Sequence, residues 1–127
     1  MMYLLDTDVL IEVLRGKTKV ARYLKALYEK GNVICYSPVT KAEIYCGIRP
    51  GEDKKTAALF AQLECLPIHS EVGEKAGYYM KMYRKSHNVQ LGDALIAATA
   101  SWVGTHLFTL NDKHYPMTDI KFHSPKK

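Results

Sequence analysis

Cysteine is scarce in this sequence, which has only Cys35, Cys46 and Cys65 among its 127 residues. The count is odd, and no two of the three stand in a Cys-x-x-Cys pair. The pattern therefore argues against a disulfide framework and against a zinc knuckle. Because Cys35 and Cys65 lie in apolar, strand-like runs, we expect both to be buried, unreactive thiols.

Long apolar runs are also missing. No stretch approaches the roughly 18 apolar residues that a membrane-spanning helix needs. The opening run Tyr3-Leu4-Leu5, which meets Asp6, is much too short for a signal peptide. We therefore predict a protein without a membrane partner that works in a reducing, cytoplasmic setting.

Internal repeats, low-complexity segments and internal linkers are absent as well. A chain of 127 residues that is 47% hydrophobic has the size and composition of one globular domain. We expect a single domain over residues 1–123 and a frayed C-terminal tail over residues 124–127.

Basic residues exceed acidic residues. Eighteen Lys and Arg face 13 Asp and Glu, which gives a formal charge of +5 and favours a polyanionic partner. If several of the acids cluster around a cation, the remaining surface is more basic than the net charge suggests. A nuclease needs this combination of a basic face for phosphates and an acidic pocket for a metal ion.

Short apolar segments alternate with helical patterns along the chain. The predicted strands are residues 2–6, 33–36, 66–68, 107–110 and 120–122; the predicted helices are residues 8–15, 20–28, 38–48, 53–64 and 71–84, with a last helix that begins at Asp93. Pro67 indicates that the third strand lies at an edge. This alternation predicts an α/β fold with a mostly parallel sheet that is covered on both faces.

Polar and acidic residues follow successive predicted elements. Asp6 comes directly after the first strand, Glu43 lies in the helix after the second, and Asp93 opens the apolar helix. Asn111 and Asp112 follow the strand at 107–110. In open α/β sheets the functional site lies beyond the carboxyl ends of the strands, so we expect these groups to converge there.

Convergence of carboxylates has a physical cost that a cation removes. Carboxylates a few ångströms apart repel and raise one another's pKa, whereas a bound divalent ion makes the cluster favourable. Magnesium prefers oxygen ligands, and it can orient a phosphodiester, neutralise charge in the transition state and activate a water. An acid-rich site of this kind is suited to phosphodiester hydrolysis, with Thr7 and Thr109 as candidate hydroxyls that support the ligands.

Each of these residues also has an ordinary structural interpretation when it is taken alone. Helix capping could explain Asp6 and Asp8, a capping box with Thr40 could explain Glu43, compensation of the helix dipole could explain Asp93, and a solvated loop could explain Asp112. Helix capping and β-propensity could likewise explain Thr7 and Thr109. Their joint placement after successive strands is what favours a functional site.

Four segments resemble motifs of the PIN-domain superfamily, and specifically of the VapC-like toxins of toxin–antitoxin modules. They are LLDTDVLI at 4–11, SPVTKAEIYCG at 37–47, DALIAATA at 93–100 and LFTLNDKHY at 107–115. The motifs occur in the family's order and spacing and span nearly the whole chain. By this resemblance, Asp6, Glu43 and Asp93 occupy the positions of the family's metal-binding and catalytic acids.

The resemblance implies a three-layer α/β/α, PIN-like domain with a central, mostly parallel sheet of four or five strands. It implies an endoribonuclease that depends on Mg²⁺, with Mn²⁺ as a substitute, and that cleaves RNA. The implied partners are the RNA substrate, a second copy in a homodimer and a cognate antitoxin that inserts a peptide into the active-site groove. Candidates to hold the RNA backbone are Arg15, Arg49, Lys81, Arg84 and Lys85.

Two positions depart from the commonest family pattern. Many members carry aspartate where Asn111 stands, so either Asn111 as a metal ligand or Asp112 as a catalytic acid completes the site, and the choice stays open. Asp8 replaces an asparagine or serine that is common there and adds a further carboxylate.

Two alternatives come from other functional classes. Asp6-Thr7-Asp8-Val9 after an apolar strand fits the opening of a haloacid-dehalogenase-like phosphatase, with Asp6 as nucleophile and Asp8 as general acid. That fold also needs a pair of acids for its metal, but Asp93 is followed by an apolar helix with no second acid. The other alternative is a non-catalytic RNA-binding or antitoxin-binding module, against which the three intact acids argue.

Overall fold

The computed structural model describes residues 1–125. Its strands and helices alternate along the chain: β1 Met2–Leu5, α1 Thr7–Leu14, α2 Thr18–Glu29, β2 Val33–Tyr36, α3 Pro38–Cys46, α4 Asp53–Ala61, β3 Glu64–Cys65, α5 Ser70–His87, α6 Leu91–Val103, β4 His106–Phe108, a 3₁₀ turn Asp112–His114, and β5 Lys121–His123. In this part of the chain, no helix combines the length and apolar character needed to cross a membrane. The predicted frayed tail falls partly on Lys126 and Lys127, which lie outside the described residues.

The five strands form one sheet in the order β3-β2-β1-β4-β5, and every pair of neighbours is parallel. This confirms the predicted α/β fold with a mostly parallel sheet. From β1, the chain adds β2 on one side and β4 on the other, so the strand order reverses at β1. In sheets of this kind the crevice beyond the strand ends at the reversal is the usual ligand site. The residues that follow β1 and β4 therefore occupy the expected place.

Successive strand residues belong alternately to two hydrophobic cores, one on each face of the sheet. Leu4, Cys35 and Leu107 pack on one face in a cluster that includes buried residues of α5 and α6. Leu5, Ile34 and Phe108 pack on the other face with buried residues of α1, α2 and α4. Because successive strand residues point to opposite faces, this alternation produces the predicted three layers.

The third strand lies two residues before its predicted position. The helix predicted to reach residue 64 ends at Ala61, and β3 consists of Glu64 and Cys65 rather than residues 66–68. The Leu66 N–H still donates to the Tyr36 carbonyl at 2.9 Å, but Pro67 has no N–H to continue the ladder. The predicted edge position is confirmed.

The cysteine prediction is half right. All three cysteines are free; Cys35 is buried, but Cys65 is exposed together with Cys46. Cys65 lies in the two-residue edge strand β3, in which both residues are exposed. The expectation that Cys65 is buried was therefore wrong.

Candidate functional site

Asp6 lies between β1 and α1, where its backbone N–H and both of its carboxylate oxygens form hydrogen bonds. Its backbone N–H donates to the Phe108 carbonyl at the end of β4, at 2.9 Å. Its Oδ1 accepts from the Thr7 N–H at 2.8 Å as the N-cap of α1, and its Oδ2 accepts from the Thr109 hydroxyl at 2.9 Å. The residue is 7% exposed. Asp6 therefore both caps α1 and lies at the carboxyl ends of the strands.

Glu43 reaches the same region from α3. Its Oε1 accepts a hydrogen bond of 2.6 Å from the Thr7 hydroxyl, which lies 3.0 Å from the Thr40 hydroxyl. The N-cap of α3 is Ser37, whose hydroxyl accepts from the Val39 N–H, so the interpretation of Thr40 and Glu43 as a capping box was wrong. Thr7 thus joins the first turn of α1 to the Glu43 carboxylate.

Asp93 lies in the first turn of α6, which begins two residues earlier than predicted, at Leu91. Its Oδ2 is 2.6 Å from Nε2 of His114. A Cβ atom built on the preceding residue, Gly92, would lie 3.2 Å from Glu43 Oε2. The Glu43 carboxylate therefore lies against the α6 backbone next to Asp93, and next to Asp6 through Thr7.

Burial and neighbouring carboxylates raise the pKa values of Asp6 and Asp8. The pKa of Asp6 is raised by burial and further by the negative charge of Asp93, against the opposing hydrogen bond from Thr109. Burial and the charge of Asp6 raise the pKa of Asp8 to about 7. Burial, Asp6 and Asp93 also raise the pKa of the Tyr115 hydroxyl, which faces these acids without a well-aligned hydrogen bond. Asp6, Asp8 and Asp93 therefore share one negative environment.

The donor set fits a hydrated divalent ion better than a closed cage of protein ligands. Within residues 1–125, no Lys or Arg forms an ion pair with Asp6, Asp8, Glu43 or Asp93. One oxygen of Asp8 is buried with no hydrogen-bond partner among these residues. In the same span, no three His, Cys, Asp or Glu side chains are grouped closely enough to hold an ion together. Mg²⁺ requires only one or two carboxylates because it keeps several waters, so the residues fit it.

The two candidates for the fourth site residue are Asn111, which directly precedes the 3₁₀ turn, and Asp112, which begins it. The Asn111 N–H donates to the Thr109 hydroxyl at 3.1 Å, and the Asn111 side chain is exposed. Asp112 is also exposed, and it lines a cavity of about 200 Å³ with Tyr23 and His123. The roles of both residues stay predictions.

All five basic candidates have exposed side chains, and Arg15 is placed near one carboxylate of the site, Glu43. Arg15 and Glu43 line the same cavity of about 80 Å³, together with Ile44 and Gly47. A cation at this position is suited to hold a phosphate beside the acidic groups. The roles of Arg49, Lys81, Arg84 and Lys85 stay predictions.

Three residues at the site were missed in the sequence. His114 and Tyr115 belong to the segment 107–115 that was noticed for Asn111 and Asp112, and Gly92 directly precedes Asp93. Their positions beside the predicted acids were the available signal.

Replacing Asp8 by asparagine is expected to stabilise the metal-free protein at neutral pH. The unfolded chain loses the Asp8 proton near pH 4, whereas the folded protein loses it near pH 7. The wild type therefore becomes less stable as the pH rises from 4 to 7. Asp8→Asn has no proton to lose at this position, so it does not become less stable for this reason. If Asp8 were fully buried, the free energy of unfolding of Asp8→Asn would exceed that of the wild type by about 4 kcal/mol. Screening by water reduces this gain to about 1–2 kcal/mol.

Urea unfolding in EDTA at pH 5 and pH 8 measures this difference. Asp53 is an exposed acid in the first turn of α4, so Asp53→Asn is the matched control. Its stability relative to the wild type should be the same at pH 5 and at pH 8. A stability gain for Asp8→Asn that is the same at pH 5 and pH 8 would contradict the expectation.

Comparison with known proteins adds a family match. The model of the PIN domain family matches residues 3–120. Ribonuclease VapC10 of Mycobacterium tuberculosis is 39% identical over 117 residues, which are 91% of this chain and 87% of the relative. VapBC2 from Rickettsia felis, solved bound to a DNA fragment from its promoter, has a TM-score of 0.84 at 20% identity over 98% of both chains. A toxin–antitoxin complex from Klebsiella pneumoniae has a TM-score of 0.77 at 22% identity over 98% of both chains. The two solved structures show that the fold is shared.

Proposed function

Because the chain belongs to the PIN domain family as a VapC-like member, we propose that it is the toxin of a toxin–antitoxin module and a metal-dependent endoribonuclease. The metal is Mg²⁺, for which Mn²⁺ can substitute. Asp6, Glu43 and Asp93 hold the ion, partly through water, and Asn111 or Asp112 completes the site.

The observation that carries this proposal is the uncompensated negative charge at the strand ends. Asp6 is buried beside Asp8 and within the field of Asp93, and the pKa values of Asp6 and Asp8 are raised. Natural proteins rarely bury acids together without a cation, because the desolvation and repulsion cost free energy. A divalent ion would repay this cost.

The mechanism assigns different tasks to the residues. A bound ion of this kind would supply charge stabilisation for the phosphodiester and a more acidic water. Asp6 and Asp93 hold their oxygens at the strand ends, and the Thr7 hydroxyl keeps Glu43 turned toward them. Thr109 fixes Asp6 and also the start of the 3₁₀ turn. Arg15, on the cavity that it shares with Glu43, binds a neighbouring phosphate.

The proposed partners are RNA, a cognate antitoxin and a second copy of the chain. Support for an antitoxin comes from the structural neighbours, of which the Klebsiella pneumoniae protein was solved as a toxin–antitoxin complex. Tyr78 and Met82 lie one turn apart on α5 and are 63% and 67% exposed, so they offer an apolar contact to a second copy. We place the activity in the cytoplasm, where RNA and such a partner are available.

The phosphatase alternative is not favoured. That class needs a further pair of acids for its metal, whereas α6 carries no second acid after Asp93. The family match also points away from that class.

Cleavage of RNA by the purified protein tests the proposal directly. We expect labelled RNA to be cut at internal positions in Mg²⁺, to be spared in EDTA, and to be cut again when Mg²⁺ is added back. Asp93→Asn, purified in parallel, measures contaminating ribonuclease. An absence of metal-dependent cleavage above that background, across RNAs of varied structure and in either Mg²⁺ or Mn²⁺, would contradict the proposal.

Addition of Mg²⁺ is also expected to stabilise the folded protein without RNA. Binding to the folded state alone raises the free energy of unfolding by about 1.4 kcal/mol when the ion is at ten times its dissociation constant. Thermal melts in Mg²⁺ and in NaCl of equal ionic strength separate site binding from screening. Equal melting temperatures in the two salts at every concentration would count against a metal site.

A further inference from the structure

His114 contacts Asp93 but has no role in the proposed chemistry. Its Nε2 lies 2.6 Å from Asp93 Oδ2, and no other His, Lys or Arg within residues 1–125 pairs with an acid of the site. We propose that His114 is a positioning residue that holds the Asp93 carboxylate in the orientation that binds the metal ion. This inference rests on the proposed function.

The backbone and a buried ring fix the position of His114. The 3₁₀ turn that carries it begins where the Asn111 N–H is held by the Thr109 hydroxyl, and the His114 N–H donates to the Asn111 carbonyl at 3.2 Å. The imidazole lies edge-to-face with the ring of Tyr115, with centroids 5.6 Å apart and an interplanar angle of 85°. Tyr115 is only 5% exposed, so it supports the imidazole from the core side.

Asp93 is the acid that most needs such a contact. Both carboxylate oxygens of Asp6 already accept hydrogen bonds, and Glu43 is held by Thr7. A carboxylate can only accept, so Nε2–H of His114 donates to Oδ2 and stops rotation about the terminal bond, which leaves Oδ1 available. Partners of this kind that orient a ligand typically contribute 10- to 100-fold to metal affinity or activity.

A calorimetric titration of the RNA-free protein with Mn²⁺ tests this role. His114→Phe keeps a ring against Tyr115 but removes the donor, and we expect it to weaken Mn²⁺ binding about tenfold or more. His114→Gln places an amide N–H close to the position of Nε2 and should restore most of the affinity. In an Asp93→Asn background, the same His114→Phe change should have no further effect on Mn²⁺ binding.

The melting temperature without metal separates positioning from a merely structural contact. If His114→Phe lowers the melting temperature but leaves the Mn²⁺ affinity unchanged, His114 only fastens the 3₁₀ turn to α6 and the inference is overturned. Tighter Mn²⁺ binding by His114→Phe would also overturn it, because His114 would then compete with the ion. If the wild type binds no Mn²⁺, the metal-dependent function fails as well; if it binds Mn²⁺ and His114→Phe binds equally well, only this inference fails.

Discussion

Replacement of Asp6 by asparagine is expected to reduce RNA cleavage more than about 100-fold, beyond the loss from removing a group that only orients a ligand. The change removes one negative charge from the centre of the site and leaves the shape of the side chain almost unchanged. Asparagine is as good an N-cap as aspartate, so α1 keeps its first hydrogen bond. Because the pKa of the buried Asp6 is raised, the neutral amide should also be tolerated without a loss of stability.

The rate of RNA cleavage at saturating Mg²⁺, measured together with the melting temperature, checks this expectation. Asp53→Asn makes the same chemical change in the first turn of another helix and should keep wild-type activity and a similar melting temperature. An Asp6→Asn protein that is folded and cleaves RNA within threefold of the wild-type rate would remove Asp6 from the metal site and leave it as a helix cap.

Asp6 and Asp93 could be located from the sequence because local patterns place them. An apolar run of strand length ends at Asp6, and a long apolar helix starts near Asp93. Asp93 follows α5 rather than a strand, so only its place at the start of a helix could be predicted. Asp6 follows β1, and a parallel sheet brings the residues that follow its strands to one edge, because all strands run in the same direction. No knowledge of specific contacts is needed for this step.

The third strand could not be located in the same way. Glu64 and Cys65 have no strand pattern of their own, and they form a strand only because Cys35 and Tyr36 offer free hydrogen-bonding groups beside them. The apolar residues Leu66 and Ile68 suggested a strand, but the pairing with β2 determines where it lies. The wrong expectation for Cys65 has the same cause.

Contacts at the site that join distant segments were also beyond the sequence. His114 and Asp93 are separated by 21 positions, and their 2.6 Å contact depends on how the 3₁₀ turn packs over α6. The approach of Glu43 to Gly92 depends on how closely α3 and α6 pack. The positions of His114 and Gly92 near predicted acids in the sequence point to the site only in hindsight, because they do not tell which side chains come into contact.

Replacement of Gly92 by alanine is expected to lower RNA cleavage roughly tenfold while it raises the stability of the protein. The new Cβ would lie 3.2 Å from Glu43 Oε2 and 3.4 Å from Val39 Cγ1, so the Glu43 carboxylate has to move by a few tenths of an ångström. Displacements up to 1 Å at a catalytic site can cost up to about 100-fold in rate. The same substitution within a helix stabilises by roughly 0.5–1 kcal/mol, because alanine loses less backbone entropy than glycine.

Gly73→Ala in α5 provides the matched control, because a Cβ at Gly73 would meet nothing within 4 Å and the residue is exposed. Both variants should melt at a higher temperature than the wild type, but only Gly92→Ala should lose activity. Such a loss cannot be explained by unfolding, so it would identify the closeness of α3 and α6 as a requirement for the position of Glu43. If Gly92→Ala cleaves RNA as fast as Gly73→Ala, the Glu43 carboxylate is free to act from another position, and its contact with the α6 backbone has no catalytic importance.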